Sequence, residues 1–355
     1  MPHLHHPDLP LAHSAWSEDQ TLHIAAAYSN PFRWTSRRRL ANNFRRHIMG
    51  LPNTELHMIE LAYGDRPFEI TDPKLYPNDI QLRTTSELFH KENLLNIAIS
   101  RFPANWKYGA IVDADFHFTR HDVALETIHQ LQHYDWVQMF SCYQFLSGEH
   151  ERGKGHRPIG KLMEGFAFTF HQNDRQIHNS FNAGWGKQVY SCGTGRGKAR
   201  VGSSGGAWAF RRDAFDRAGG LLDRCILGSG DWFMAFGLAG QTIDLNKPLG
   251  KNVHLYTKDY LQYIQAWQRR AAEAFNGNIG YVDSYAVHHF HGPIVNRAYG
   301  SRDNILINHK YSPVRDVHPD WQGVLQLTDR KPELRADIRN YFLARNEDEA
   351  HRDSE

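Results

Sequence analysis

Tyr108-Gly109-Ala110-Ile111-Val112-Asp113-Ala114-Asp115 is a short apolar run that ends on two aspartates separated by one alanine. Such a run predicts a buried strand over Tyr108 to Val112, with the acidic pair at its carboxyl end. If the side-chain period of two continues, Asp113 and Asp115 point to the same side and both carboxylates face one cation. Two aspartates after a strand serve equally often as a solvated turn, so the pair alone does not separate the two uses.

Working upstream, Leu22 to Ala27 is an apolar run that ends in the turn formers Tyr28, Ser29, Asn30 and Pro31, a strand feeding a loop. Ser36 to Met49 predicts a helix, and Glu55 to Ala62 a second strand closed by Tyr63, Gly64 and Asp65. Leu88 to Ser100 predicts an amphipathic helix with Leu94, Leu95, Ala98 and Ile99 on its apolar side. Downstream of the aspartates come a helix from Asp122 to Gln132 and a strand from Trp136 to Cys142. Strands alternating with helices predict an α/β protein with parallel pairing, a nucleotide-binding layout. Ligands in such sheets sit beyond the carboxyl ends of the strands, where Asn30, Asp65 and the Asp113/Asp115 pair all fall.

From Ser147 to Ser204 the residues Gly, Lys, Arg, His and Asn dominate, which reads as a mobile basic insertion. A strand over Gly205 to Phe210 and a helix from Arg211 follow, then Gly228-Ser229-Gly230-Asp231 opening a helix through Leu238. The remainder predicts a long helix around Leu261 to Phe275, a strand over Ser284 to Phe290 and a charged tail.

The 355 residues are 41% apolar and 23% charged, enough for a sizeable core in one large or two closely joined domains. With a formal charge of +2, the whole molecule is not a polyanion binder, so any basic surface is local. The 3 cysteines, Cys142, Cys192 and Cys225, lack CxxC spacing and predict reduced thiols rather than a disulfide framework or zinc ribbon. No apolar run approaches the roughly 20 residues of a membrane helix, so the expectation is a cytoplasmic protein with no membrane insertion. His3, His5 and His6 near the start read as a frayed terminus.

In Val287-His288-His289-Phe290-His291-Gly292, alternation puts His289 and His291 on one face near a strand end, where one imidazole could complete a metal shell. Carboxylate and imidazole together suit Mn²⁺ better than Ca²⁺. Asp231 follows glycines at a helix start, as a cap accepting backbone N–H bonds, as a general base, or as both. Trp208 and Trp232 have two uses as well: stacking on a sugar or base, or core packing.

Four segments, in order, resemble GT-A-fold glycosyltransferases: Tyr28 to Arg33, Lys91-Glu92-Asn93-Leu94-Leu95-Asn96, Asp113-Ala114-Asp115, and Gly205-Gly206-Ala207-Trp208-Ala209-Phe210-Arg211-Arg212 leading to Gly219-Gly220-Leu221-Leu222-Asp223 and Gly230-Asp231. The last is similar to the stretch shared by β-1,4-galactosyltransferases and polypeptide N-acetylgalactosaminyltransferases. The Trp-Lys-Tyr, Asp-Ala-Asp and His-Phe-His-Gly pattern also resembles a bacterial and phage group of GT-A-like proteins. The resemblance implies a Rossmann-like mixed central sheet flanked by helices, and an inverting, metal-dependent transfer from a nucleotide-sugar donor, UDP-sugars first, with Mn²⁺ or Mg²⁺. It assigns the donor to Asn30, Pro31, Arg33, Asp65, Lys91, Asp113 and Arg297. The metal falls to Asp113, Asp115 and His291, or to His289 in place of His291; the acceptor to Gly206, Trp208 and Trp232; and the base to Asp231. Those relatives carry two consecutive acids where this chain has Gly230-Asp231-Trp232, so the base rests on Asp231 alone.

On this reading 1–20 is a leader, 21–146 the nucleotide-sugar half, 147–204 an acceptor loop, 205–310 the half that completes the metal and acceptor sites, and 311–355 an extension. The basic runs Arg37-Arg38-Arg39, Arg45-Arg46 and Lys187 to Arg200 would suit a DNA acceptor with a hydroxymethylated base. A glycan or small-molecule acceptor is the alternative. A nucleotidyltransferase would need a Gly-rich phosphate loop that Ser29-Asn30-Pro31-Phe32-Arg33 lacks. A non-catalytic nucleic-acid-binding protein would explain the basic insertion but not the acids at strand ends.

Overall fold

The computed structural model describes residues 20–148, 162–177, 201–249 and 253–349. Strands β1 (Leu22–Ser29), β2 (Thr54–Tyr63), β3 (Ile80–Thr84) and β4 (Tyr108–Val112) pair in parallel in the order β3-β2-β1-β4. The chain runs outward from β1 to β3 and returns to the other side of β1, and this reversal opens a crevice at the carboxyl ends of β1 and β4. Beyond β4 lie β9 (Ala207–Arg211), antiparallel to both neighbours, then β6 (Trp136–Gln138) and β10 (Ile279–Tyr281), giving a mixed seven-stranded sheet.

Alternation along the strands feeds two cores, one on each face. Ala25, Ile59 and Ile111 belong to one, and Ile24, Ala26, Met58 and Val112 to the other. The second face is covered by α1 (Thr35–Met49), through Ala41, Phe44 and Ile48, and by α3 (Val123–Gln130), through Val123, Ala124 and Ile128. Burial of a side chain like Phe44 is worth roughly 1.5–3 kcal/mol. The first face is covered by α2 (Lys91–Ile99), α5 (Arg212–Ala218), α6 (Gly230–Leu238) and α7 (Lys258–Phe275). The mixed α/β sheet flanked by helices that the sequence predicts is therefore present.

The expected strand from Trp136 to Cys142 divides after Gln138. Its second part becomes β7 (Cys142–Phe145) in a separate four-stranded sheet with β5 (Phe116–Phe118), β11 (Tyr285–His288) and β8 (Leu162–Glu164). β5 and β11 pair antiparallel, His288 opposite Phe116, which carries the end of β11 over the Asp113–Asp115 turn.

Part of the segment read as a mobile insertion is folded. β8 is followed by α4 (Phe166–Gln172), whose Phe166, Ala167 and Phe170 are buried in the main core. The segment read as a charged tail is folded too. After α8 (Asp303–Asn308), the hairpin β12 (Val317–Pro319) and β13 (Leu325–Leu327) and helix α9 (Pro332–Ala344) add Val317, Leu325, Leu334, Ile338 and Phe342 to that core. The apolar residues of this segment are spaced among many charges, which hides the elements from a pattern. Cys142 and Cys225 are buried and in no disulfide, while Cys192, the His3–His6 cluster and the basic run Lys187 to Arg200 lie outside the described residues. Among the described residues no helix is long and apolar enough to cross a membrane.

Candidate active site

β4 stops at Val112, and residues 113–115 turn rather than extend, with Phe116 N–H donating to the Asp113 carbonyl (3.0 Å). The period of two therefore does not carry through the acidic pair, and the two carboxylates part company. Asp113 is ion-paired with Lys91 at the start of α2. Asp115 instead meets histidines from the end of β11, because His289 N–H donates to the Asp115 carbonyl (2.9 Å) and draws the two segments together. His291 Nε2 is 2.8 Å from Asp115 Oδ2, and His288 Nε2 is 3.7 Å from Oδ1.

His289, the alternative ligand in the sequence reading, faces the other way, with Nε2 3.0 Å from Nδ1 of His117. The expected strand over Ser284 to Phe290 ends at His288, so strict alternation does not reach His291. The imidazoles that converge are His288 and His291, and His288 was not singled out from sequence.

Ligand atoms of Asp115, His288 and His291 all lie within 4.8 Å of one another, and all three residues border one cavity. Asp115 Oδ1 and His288 Nδ1 are buried without a hydrogen-bond partner. Burial alone would raise the Asp115 carboxyl, but His288, His291 and Arg297 outweigh it and hold the group well below the usual carboxylate range. Burial pushes His288 down to about 3, so its ring is neutral at physiological pH. A carboxylate with an orphaned oxygen beside two imidazoles is a donor set that fits a divalent ion such as Mn²⁺. The other nitrogen of His291, Nδ1, is 3.4 Å from Glu347, while Arg297 Nη2 approaches the same Nε2 that faces Asp115, at 2.8 Å. Glu347 is in turn held by Arg37 (2.5 Å) and Arg345 (2.8 Å).

The cavity measures about 780 Å³, within the range of a small-molecule site. Its wall brings together Pro31, Lys91, Asp113, Asp115, Gly206, Asp231, Trp232, His291 and Arg297, all expected from sequence. Asp231 stands in the first turn of α6, behind Gly228 (φ +96°) and Ser229 (φ +71°). Two successive left-handed residues, one of them not glycine, mark a strained turn at the cavity edge, and Arg302 Nη2 braces Ser229 Oγ at 2.9 Å. Asp231 Oδ1 accepts from Trp232 N–H (2.9 Å). Beside it Glu92, fully buried, was missed as a candidate. Burial pushes its carboxyl up to about 7 despite the neighbouring Lys91.

Other expectations do not match their placement. The Asn30 side chain is consumed inside its own loop, accepting from Trp34 N–H (2.9 Å) and donating to Tyr28 Oη (3.0 Å). Arg33 is exposed and reaches only toward Glu69 (3.9 Å), and Asp65 sits exposed on the turn after β2. None of these three borders the cavity. Trp208 is core, with its indole N–H donating to the Ser204 carbonyl (2.8 Å), and it too is absent from the cavity wall. The basic runs are also partly spent. Arg37 is bound to Glu347, and Arg45 is buried against both oxygens of Asp79 (2.9 and 2.8 Å). The contributions of Glu347 and Arg345 carried no local signal, because they come from the segment that reads as a tail.

No protein-family model and no curated protein matches the sequence. Among solved structures, the chain is similar to a mutant β-1,4-galactosyltransferase 7 from Drosophila, in complex with manganese, UDP-Gal and xylobiose. The TM-score is 0.34 and the identity 11%, over 88% of this chain and 97% of that one. It is also similar to a protein from Desulfovibrio desulfuricans G20 described as a nucleotide-diphospho-sugar transferase. There the TM-score is 0.32 and the identity 11%, over 90% and 97% of the two chains. At this degree of similarity no residue role is transferred from either protein.

Proposed function

We propose that the chain is a GT-A-like, metal-dependent glycosyltransferase that moves a sugar from a nucleoside-diphosphate donor to an acceptor hydroxyl with inversion. The observation that carries this is the convergence of Asp115, His288 and His291 at one wall of a cavity whose other walls present Lys91, Arg297 and Asp231.

In such a transfer the bond from the anomeric carbon to the β-phosphate oxygen breaks, and the acceptor oxygen bonds to that carbon. Negative charge grows on the departing diphosphate, and Lys91 and Arg297 are the side chains placed to meet it. Burial disfavours the Lys91 cation, but Asp113, Glu92 and Asp231 outweigh it and keep the ammonium charged. A divalent ion held by Asp115, His288 and His291 supplies further positive charge against the diphosphate when bound. Asp231 takes the proton from the acceptor hydroxyl, and Gly205 and Gly206 leave room for the incoming sugar.

Withdrawal of Arg37 and Arg45 into internal contacts removes two positions from the case for DNA. A hydroxymethylated-DNA acceptor therefore stands as one arm of the acceptor screen beside glycans and small molecules. The test is release of nucleoside diphosphate from a panel of UDP-, GDP- and dTDP-sugars, with and without Mn²⁺, followed by acceptor screening with the active donor. Silence across the donor panel, with tight metal-independent binding of nucleic acid, would move the reading to a binding protein.

A further inference from the structure

At the opposite end of the central sheet, His23 is the second residue of β1, and Glu55 and His57 are the second and fourth of β2. In the parallel register His23 pairs with Glu55, so all three side chains emerge from one face where the two strands begin. His23 and Ser29 are separated by most of β1, which at the usual strand rise puts this cluster about 20 Å from the cavity end.

The three side chains converge, each offering a ligand atom within 4.8 Å of the other two. His23 Nδ1 and His57 Nε2 are hydrogen-bonded at 3.2 Å, while Glu55 Oε2 is 3.6 Å from His23 Nδ1 and Glu55 Oε1 is 3.6 Å from His57 Nε2. At that distance the carboxylate is outside hydrogen-bonding range of both rings. A tetrahedral zinc ion with bonds of about 2.0–2.1 Å requires ligand atoms about 3.4 Å apart, close to the 3.2 Å between the two ring nitrogens and to the 3.6 Å from each ring to its nearer carboxylate oxygen. Further features suit a metal. Asn78 Nδ2 donates to Glu55 Oε1 (2.7 Å) and fixes the carboxylate from outside. Phe102 packs on His57 (4.5 Å between ring centroids) and on His23 (5.4 Å), walling the inner side. Glu55 is 37% exposed, which leaves an entry path and room for a water as fourth ligand.

We propose that His23, Glu55 and His57 form a second metal site, for a zinc-class divalent transition ion, that clips the starts of β1 and β2 together. Its role is structural, and it is independent of the transfer reaction.

The test uses full-length protein stripped with chelator, in an Asp115→Ala/His291→Ala background that silences the cavity site. Titration with Co²⁺, read by the visible bands of four-coordinate cobalt, and with Zn²⁺ against a chromophoric chelator gives stoichiometry and affinity. The expected result is one tight equivalent that also raises the melting temperature. Glu55→Gln and His57→Gln should each weaken it by more than roughly 10-fold, the loss that even outer partners of a metal site cause. Absence of a tight equivalent in the silenced protein would overturn the proposal, as would affinity unchanged by both substitutions in folded protein. If His57→Gln does not fold, Glu55→Gln, which alters a half-exposed side chain, decides the matter alone.

Discussion

Glu347 Oε2 lies 3.4 Å from Nδ1 of His291, while the other nitrogen of the same ring, Nε2, lies 2.8 Å from Asp115. A carboxylate behind a histidine fixes its tautomer and aims the remaining lone pair forward. For the proposed metal site, Glu347 is then a positioning residue supplied by the C-terminal segment. Glu347→Gln should lower Mn²⁺ affinity roughly 10- to 100-fold, measured by isothermal titration. The same substitution should destabilise the fold, because Arg37 and Arg345 lose their charged partner.

Asp231→Asn should reduce kcat for sugar transfer by roughly 10²- to 10⁴-fold, the usual worth of a general base, while donor binding stays intact. Comparing kcat with the donor dissociation constant checks this. Equal losses in both would make Asp231 a donor-binding group instead.

Adjacent glycines should respond differently to alanine. At Gly206 the backbone has φ +94°, and a Cβ would lie 3.0 Å from Phe116 and Phe140, so Gly206→Ala should cost about 1–3 kcal/mol in denaturant unfolding. At Gly205 a Cβ would meet only the Asp231 carboxylate, at 2.8 Å. Gly205→Ala should therefore fold normally and lose roughly 10- to 100-fold in kcat by displacing Asp231, the proposed base.

The buried Glu92 carboxyl, pushed up from 4.5 to about 7, makes stability depend on pH. Its contribution is fully present below about 4.5, where folded and unfolded chains are both protonated. It is lost as pH rises through about 7, because only the unfolded chain releases the proton freely. The loss is on the order of 3 kcal/mol over that window. Melting curves between pH 5 and 8 should show wild type losing stability relative to Glu92→Gln as pH rises.

Strongly periodic segments were legible: β1, β2, β4, α1, α2 and α7 follow from uninterrupted apolar patterns, and the strand-end aspartates mark the crevice. Three-residue strands such as β5, β8 and β10 are too short to offer a pattern to read. The site was half legible. Asp115, His291, Asp231 and Arg297 reach the cavity as expected. His288 rather than His289 joins His291 beside Asp115, because β11 ends at His288, two residues before the expected Phe290. Asn30 was misassigned because a polar loop residue serves its own turn as readily as a ligand. Glu347 depends on a contact spanning over three hundred residues with Arg37, which no local pattern carries.

The most direct test pairs Mn²⁺ binding with nucleoside diphosphate release in wild type, His288→Ala and His289→Ala. The geometry predicts Mn²⁺-dependent release in wild type, loss of both metal binding and release in His288→Ala, and retention of both in His289→Ala. Donor turnover that survives chelation, or loss in His289→Ala with retention in His288→Ala, would contradict the assignment of Asp115, His288 and His291 as the metal site of a glycosyltransferase.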